Sequence, residues 1–202
     1  MKKYLFLFVM ALTALTFAAC SSDDDNQDNN EKETMANTNP PAADSKILVA
    51  YFSWGGNTEA IAQRIAQLTG GTLYEIEPAT PYTTDYQELA YTVARNELDT
   101  DARPALKDTK ADFSQYDYVF IGCPVWWQTA PMIMSTFCET YTFKGKTVIP
   151  FCTYASSGRD ATLQKLGSLT SGATHLTGYG VSGRSTSGVE AWLRTINMIK
   201  SN

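Results

Sequence analysis

The sequence has one histidine, no pair of cysteines two residues apart, and no excess of basic residues. Each shortage excludes a chemistry. His175 falls at the start of the last predicted strand, away from every polar loop, and reads as a surface residue. Ser156 and Ser157 therefore lack a histidine partner, and no G-x-S-x-G elbow is present, which disfavours a serine hydrolase. Without C-x-x-C, a dithiol redox centre has no basis in the sequence. Lys and Arg number 16 against 21 Asp and Glu, so the chain carries −5 and offers no basic face to a nucleic acid. No residue stands out as a general acid, a general base or a metal ligand.

The charge is unevenly spread. Lys2 and Lys3 precede an uncharged apolar stretch and then Ala18-Ala19-Cys20, the pattern of a secretory leader. The stretch is too short for a true membrane span, which needs about 20 apolar residues. LTFAAC resembles a bacterial lipobox, so residues 1–20 are expected to be a lipoprotein signal with lipidation at Cys20; ordinary secretion is the alternative. Residues 21–45 hold seven acids, one lysine and, apart from Met35, no large apolar side chain. Such a segment buries too little to offset its ordering entropy and reads as a disordered acidic tether. Asp23-Asp24-Asp25 resembles a surface-export signal of Bacteroidetes lipoproteins, or is only a solvated spacer. The expected address is the cell envelope, at the outer membrane and held by the lipid alone, with surface exposure following only if Asp23-Asp24-Asp25 is an export signal. The leader carries +2 and the tether −6, which leaves residues 46–202 at −1.

Residues 46–202 make one ordinary domain. Cys123, Cys138 and Cys152 are an odd set without close spacing and read as small buried hydrophobes, with Cys123 and Cys152 at neighbouring strand ends. Lys46 to Phe52, Tyr116 to Cys123 and Lys146 to Cys152 are continuous apolar runs, the mark of strands buried on both faces. Thr72 to Glu77 and THLTGYGV complete five strands. Helices are expected after Thr58, over Asp85 to Leu98, from Pro131, over Arg159 to Leu166 and over Ser187 to Ile199. Strand and helix alternate, so the fold class is α/β with a parallel sheet covered on both faces. Ligands of such sheets bind beyond the carboxyl ends of the strands.

Three polar loops stand there. YFSWGGNT places Ser53, Gly55, Gly56, Asn57 and Thr58 between a strand and a helix. The loop has no lysine, no triphosphatase pattern and no G-x-G-x-x-G. An uncharged cradle of hydroxyls at a helix amino terminus suits a terminal phosphomonoester. A tight turn capped by Thr58 or Asn57 is the alternative. PVWW sets two tryptophans just past a buried strand, where at most one can point inward. A flat aromatic ligand accounts for the pair; otherwise Trp127 packs under the next helix and Trp126 sits on the rim. CTYASSGRDA again offers hydroxyls, Gly158 and a stacking Tyr154, or else a capped helix start.

Together the loops describe a site for a flat, phosphorylated cofactor. LVAYFSWGGNTEAIAQRIA, YDYVFIGCPVWWQTAPMIMSTFCE and GKTVIPFCTYASSGRDA resemble the flavodoxin family, in particular its short-chain flavodoxin-like branch, over roughly residues 46–197. The resemblance implies a flavodoxin-like three-layer α/β/α fold, a five-stranded parallel sheet of order 2-1-3-4-5, and FMN at the switch point. It assigns Ser53, Gly55, Gly56, Asn57 and Thr58 to the phosphate, with Trp54 in the same cofactor-binding set. Pro124, Val125, Trp126 and Trp127 would flank one side of the isoalloxazine. Thr153, Tyr154, Ala155, Ser157 and Gly158 would flank the other. Arg103-Pro104, in the long segment before the third strand, is expected near the pocket mouth.

Two departures bear on the chemistry. Flavodoxins proper support one-electron transfer by flipping a peptide, commonly at a glycine, in the second loop. No glycine follows the strand here. The domain is also nearly neutral, without the acidic face that steers flavodoxins to basic partners. Both favour an FMN-dependent oxidoreductase that makes two-electron reductions of quinone-like small molecules over a pure electron carrier. Location favours a redox partner protein or the membrane quinone pool as electron source. A binding lipoprotein that keeps the fold without flavin is the rival from another class.

Overall fold

Every residue of Ile47–Tyr51 is buried, and successive side chains enter two different cores. A computed structural model, which describes residues 41–200, shows the reason. Ile47–Tyr51 is β1, an inner strand of a parallel sheet with helices on both faces. Ile47, Val49 and Tyr51 face one core; Leu48, Ala50 and Phe52 face the other. The expected leader, Cys20 and residues 21–40 of the expected tether lie outside the described residues. Among those described, no helix is long and apolar enough to cross a membrane.

The chain continues as α1 Asn57–Thr69, β2 Thr72–Glu75, α2 Tyr86–Glu88, a π-helical turn Leu89–Val93, and α3 Ala94–Asp99. Then come β3 Tyr118–Pro124, α4 Met132–Thr140, β4 Thr147–Tyr154, α5 Arg159–Leu169, β5 Thr174–His175, β6 Tyr179–Ser182 and α6 Val189–Thr195. The sheet order is β2-β1-β3-β4-β5, all parallel, as the resemblance implies. Helices α1 and α6 cover one face, where Ile61, Ile65 and Leu193 meet Phe120, Ile149 and Phe151. Helices α4 and α5 cover the other, where Ile133, Phe137 and Leu166 meet Val119, Ile121 and Val148. Each such fully buried side chain stabilises the fold by roughly 1.5–3 kcal/mol.

The fifth strand, expected to be continuous, is in two pieces. His175 pairs with Val148 and Tyr179 with Phe151, so four steps along the outer chain match three along β4. Pro150 stands at the mismatch. Val148 accepts a bond from Leu176 on the outer edge, and alternation turns Pro150, two residues on, towards the same edge without an N–H to offer. The outer strand bulges past this position. Gly178 permits the detour, since a Cβ there would lie 2.8 Å from the Pro150 carbonyl oxygen.

The last helix is shorter than its apolar pattern suggests. Asn197 adopts φ 55°, Asn197 N–H bonds Arg194 O, and Met198 N–H bonds Leu193 O. These are the paired bonds of a Schellman stop, with Asn in the left-handed position. The site is positioned by the central strands. Because β1 lies between β2 and β3, the chain reverses direction across the sheet at β1, and the carboxyl ends of β1, β3 and β4 open together.

Candidate functional site

At those strand ends lies a cleft of about 760 Å³, within the size range of small-molecule sites. Ser53, Trp54, Gly55, Asn57, Thr58, Pro124, Val125, Trp126, Trp127, Thr153, Tyr154 and Ala155 line it. Gly56, Ser157 and Gly158, expected in the same set, are not among the residues that line it.

Gly56 forms the turn into α1. It sits at φ 78° as the N-cap residue, and neither Asn57 nor Thr58 caps the helix. The alternative of a turn closed by Thr58 or Asn57 is therefore not what the structure adopts. Thr58 instead places its buried hydroxyl 2.8 Å from that of Thr153 at the end of β4. Ser53 Oγ accepts a longer bond from Glu59 N–H, 3.3 Å. The α1 amino terminus thus presents N–H groups and the positive end of a helix dipole towards the cleft.

The second loop reverses one expectation. Trp126, not Trp127, packs inward, with its ring edge-on to Phe52 at 5.4 Å and to Tyr82 at 5.3 Å. Trp127 is 40% exposed. The cause is a two-residue turn: Trp126 and Thr129 exchange backbone hydrogen bonds, and both central residues have positive φ, 47° at Trp127 and 65° at Gln128. Neither is glycine, so each position carries strain of about 1–2 kcal/mol. Side chains hold the turn. Trp127 Nε1 donates to Ala90 O at 2.7 Å, Arg95 lies over its ring at 5.1 Å, and Gln128 Nε2 donates to Ser157 Oγ at 2.8 Å. Arg95 is also paired with Asp99 through two nitrogens.

Gly158 lets the third loop lie against the second. It sits at φ 84°, and a Cβ there would come within 2.6 Å of Val125 and 2.9 Å of the Gln128 Cα. Val125 N–H bonds Thr153 O across the strand ends at 2.8 Å. The third loop is tied in turn to the end of β6, through Gly183 N–H to Tyr154 O and Ser182 Oγ to Ala155 O.

Sequence reasoning missed one whole wall. Tyr86, Leu89, Ala90, Tyr91 and Ala94 come from α2, the π turn and the start of α3; Gln128, Ser182 and Gly183 complete the lining. The helical pattern was legible, but a π turn has no marker in the sequence that would set which side faces the cleft. Arg103 does not reach the mouth. It pairs with Glu139 of α4 and with Asp101 and is not among the residues that line the cleft. His175 is half-buried rather than at the surface, bonded to Thr170, and burial lowers its pKa. Among the described residues, no Asp, Glu, Lys, Arg or His lines the cleft.

One layer below, Cys123 and Cys152 stand opposite each other in register, both as buried free thiols. Burial pushes the Cys123 thiol well up and that of Cys152 to about 12, so neither is a ready nucleophile.

A family model for flavodoxin matches residues 46–196. The chain belongs to the flavodoxin family. Among solved structures, this family member is similar to two proteins assigned as flavoproteins. One, from Bacteroides uniformis, has 37% identity and a TM-score of 0.69, with 74% of this chain and 98% of that chain covered. The other, from Bacteroides eggerthii, has 38% identity and a TM-score of 0.68, with 75% and 98% covered. A Lactobacillus acidophilus flavoprotein, solved in complex with FMN, shares the fold at 21% identity and a TM-score of 0.60, with 73% and 98% covered. No curated protein matches the chain.

Proposed function

We propose that the protein binds FMN in this cleft and works as a two-electron reductase of quinone-like small molecules, with electron carriage as the other use of the same site. The observation that carries the reading is the union of a helix amino terminus, held on its protein side only by one long bond to Ser53, with an aromatic cleft that among the described residues has no charged lining, at the family's switch point. The residues fit the group. Gly55 has nothing within 4 Å of where its Cβ would lie, which leaves room for a phosphate beside the backbone. The N–H groups of α1 and the hydroxyl of Ser53 would hold that phosphate without a cation. Pro124, Val125, Trp126 and Trp127 on one side and Tyr154 and Ala155 on the other would hold the flat ring system.

Bound FMN supplies the hydride or electron transfer. The chain orients it and restricts access to it. Gly158 and the Ser157–Gln128 bond fix the spacing of the two flanking loops. Trp127, tied to Ala90, closes one side of the cleft against water. We further propose that the domain is an envelope lipoprotein, lipidated at Cys20 and tethered to the outer membrane by residues 21–45, and draws electrons from the membrane quinone pool or a redox protein. Metabolic labelling with a fatty acid, lost in Cys20→Ala, tests the anchor.

The flavin reading is tested by the visible spectrum of the purified protein and by quenching of FMN fluorescence on titration. Flavin bands and saturable quenching are expected. A colourless protein that leaves FMN fluorescence unchanged would make it a flavin-free binding lipoprotein instead. Photoreduction of the loaded protein in one two-electron step supports the reductase; two resolved one-electron steps support the carrier.

A further inference from the structure

Four of the five exposed large apolar side chains among the described residues surround one cleft. Trp54, Tyr86, Tyr91 and Trp127 line it; only Leu73 lies elsewhere. Exposed aromatic area gathered at one mouth marks a recognition surface rather than incidental exposure.

The donors of this group are divided. Both indole N–H groups are already used, Trp54 to Thr83 O at 2.9 Å and Trp127 to Ala90 O at 2.7 Å. The indoles are thereby pinned and offer only their faces. The phenols of Tyr86 and Tyr91 have ring contacts, to Trp54 at 6.4 Å and to Trp127 at 6.0 Å, but no hydrogen-bond partner among the described residues. Two rigid aromatic pairs thus carry two unspent hydroxyl donors.

The π turn creates this arrangement. Residues five apart, such as Tyr86 and Tyr91, point about 140° away from each other around a regular α-helix. Over Leu89–Val93, the segment that holds Tyr91, the helix widens, and Ala94 N–H bonds Leu89 O five residues back. Both tyrosines consequently line the cleft. π turns often occur where a helix serves a site.

We infer that this wall is a second subsite of the cleft, for a planar, uncharged carbonyl compound of the quinone class. Ring faces stack on the molecule, and the phenols of Tyr86 and Tyr91 donate to its carbonyl oxygens. The inference rests on the proposal that FMN occupies the strand-end loops, and it assigns Tyr86 and Tyr91, which that proposal leaves unused, to the substrate. Charge sets the class. Among the described residues the lining has no cation to meet an anionic substrate, and the nearby Arg95 is committed to Asp99 and to the face of Trp127. A dinucleotide, with its pyrophosphate, finds no partner on this wall.

The test uses the full chain saturated with FMN, titrated calorimetrically with menadione and with methylnaphthalene, its carbonyl-free counterpart. The double variant Tyr86→Phe/Tyr91→Phe is expected to bind FMN as the wild type does and menadione about tenfold more weakly, with methylnaphthalene unaffected. Tyr91→Ala is expected to weaken both aromatic ligands. The subsite is overturned if the wild type binds no menadione, if the Phe variant binds it equally well, or if that variant loses FMN affinity to the same degree. A wild-type chain that takes up no FMN ends the flavin reading separately. Menadione titration of that flavin-free chain then reads the subsite alone: dependence on the two tyrosines supports it and independence ends it.

Discussion

The buried hydroxyls of Thr58 and Thr153 lie 2.8 Å apart, joining the first turn of α1 to the end of β4. Through this bond the loop proposed for the phosphate and the loop proposed for the ring share one support. Replacing Thr153 by Val keeps the shape and leaves the Thr58 hydroxyl buried without its partner. The expected cost is about 1–3 kcal/mol. Urea unfolding of Thr153→Val, Thr58→Val and the double variant measures it. The double variant should lose less than the sum of the singles; strict additivity would mean the bond contributes nothing.

Glycines at the cleft separate folding from binding. Gly55→Ala meets nothing within 4 Å and needs no left-handed backbone, so it should leave the melting temperature unchanged and weaken FMN by narrowing the cradle. Gly158→Ala should do both kinds of damage, because its φ is 84° and Val125 lies in the way. Gly56→Val reports less clearly, since φ 78° strains any branched side chain whatever the ligand does. A Gly55→Ala variant with undiminished FMN affinity would move the phosphate away from this turn.

Gly122 tests the core beneath the site. A Cβ there would stand 2.1 Å from the ring of Phe151, so Gly122→Ala overpacks the sheet face. A loss of about 1–3 kcal/mol is expected. Adding Phe151→Leu should recover part of it. Thermal unfolding of the single and double variants decides, and absence of any rescue would contradict the contact.

The expected elements were largely legible because β1, β3 and β4 are apolar on both faces, a pattern few other arrangements produce. The three loops at their ends were legible for the same reason: hydroxyls and glycines directly after such strands are out of place unless they turn or bind. What the sequence hid were choices made between elements. Pro150 was visible, but that it would split the outer strand depends on which edge its missing N–H faces. Which tryptophan of the pair turns inward depends on a turn with two positive φ values, at residues that rarely adopt them. The cleft wall of Tyr86 and Tyr91 was hidden because helical periodicity assigns them to different sides. Arg103 was drawn from the mouth by Glu139, a partner 36 residues away.

Alkaline pH should unfold the protein through its thiols. Burial raises Cys138 and Cys152 to about 12 and Cys123 well above its ordinary 9.0. The folded state holds these protons while the unfolded chain releases them above about pH 9. Stability is therefore full below pH 9 and falls as pH rises towards 12, by about 1.4 kcal/mol per unit for each thiol. Urea midpoints between pH 8 and pH 10.5 follow the slope. Cys152→Ala should flatten it by one proton's worth; an unchanged slope would place the thiol in water.

The central claim is that FMN sits in the cleft with its phosphate at the amino terminus of α1. Calorimetric titration of the flavin-free protein with FMN and with riboflavin tests it most directly. The two ligands share the ring and differ in the phosphate, so FMN should bind tighter by about tenfold or more, as charge-assisted bonds to the helix N–H groups require. Equal affinities would contradict the phosphate site, and no binding of either would contradict the flavin site as a whole.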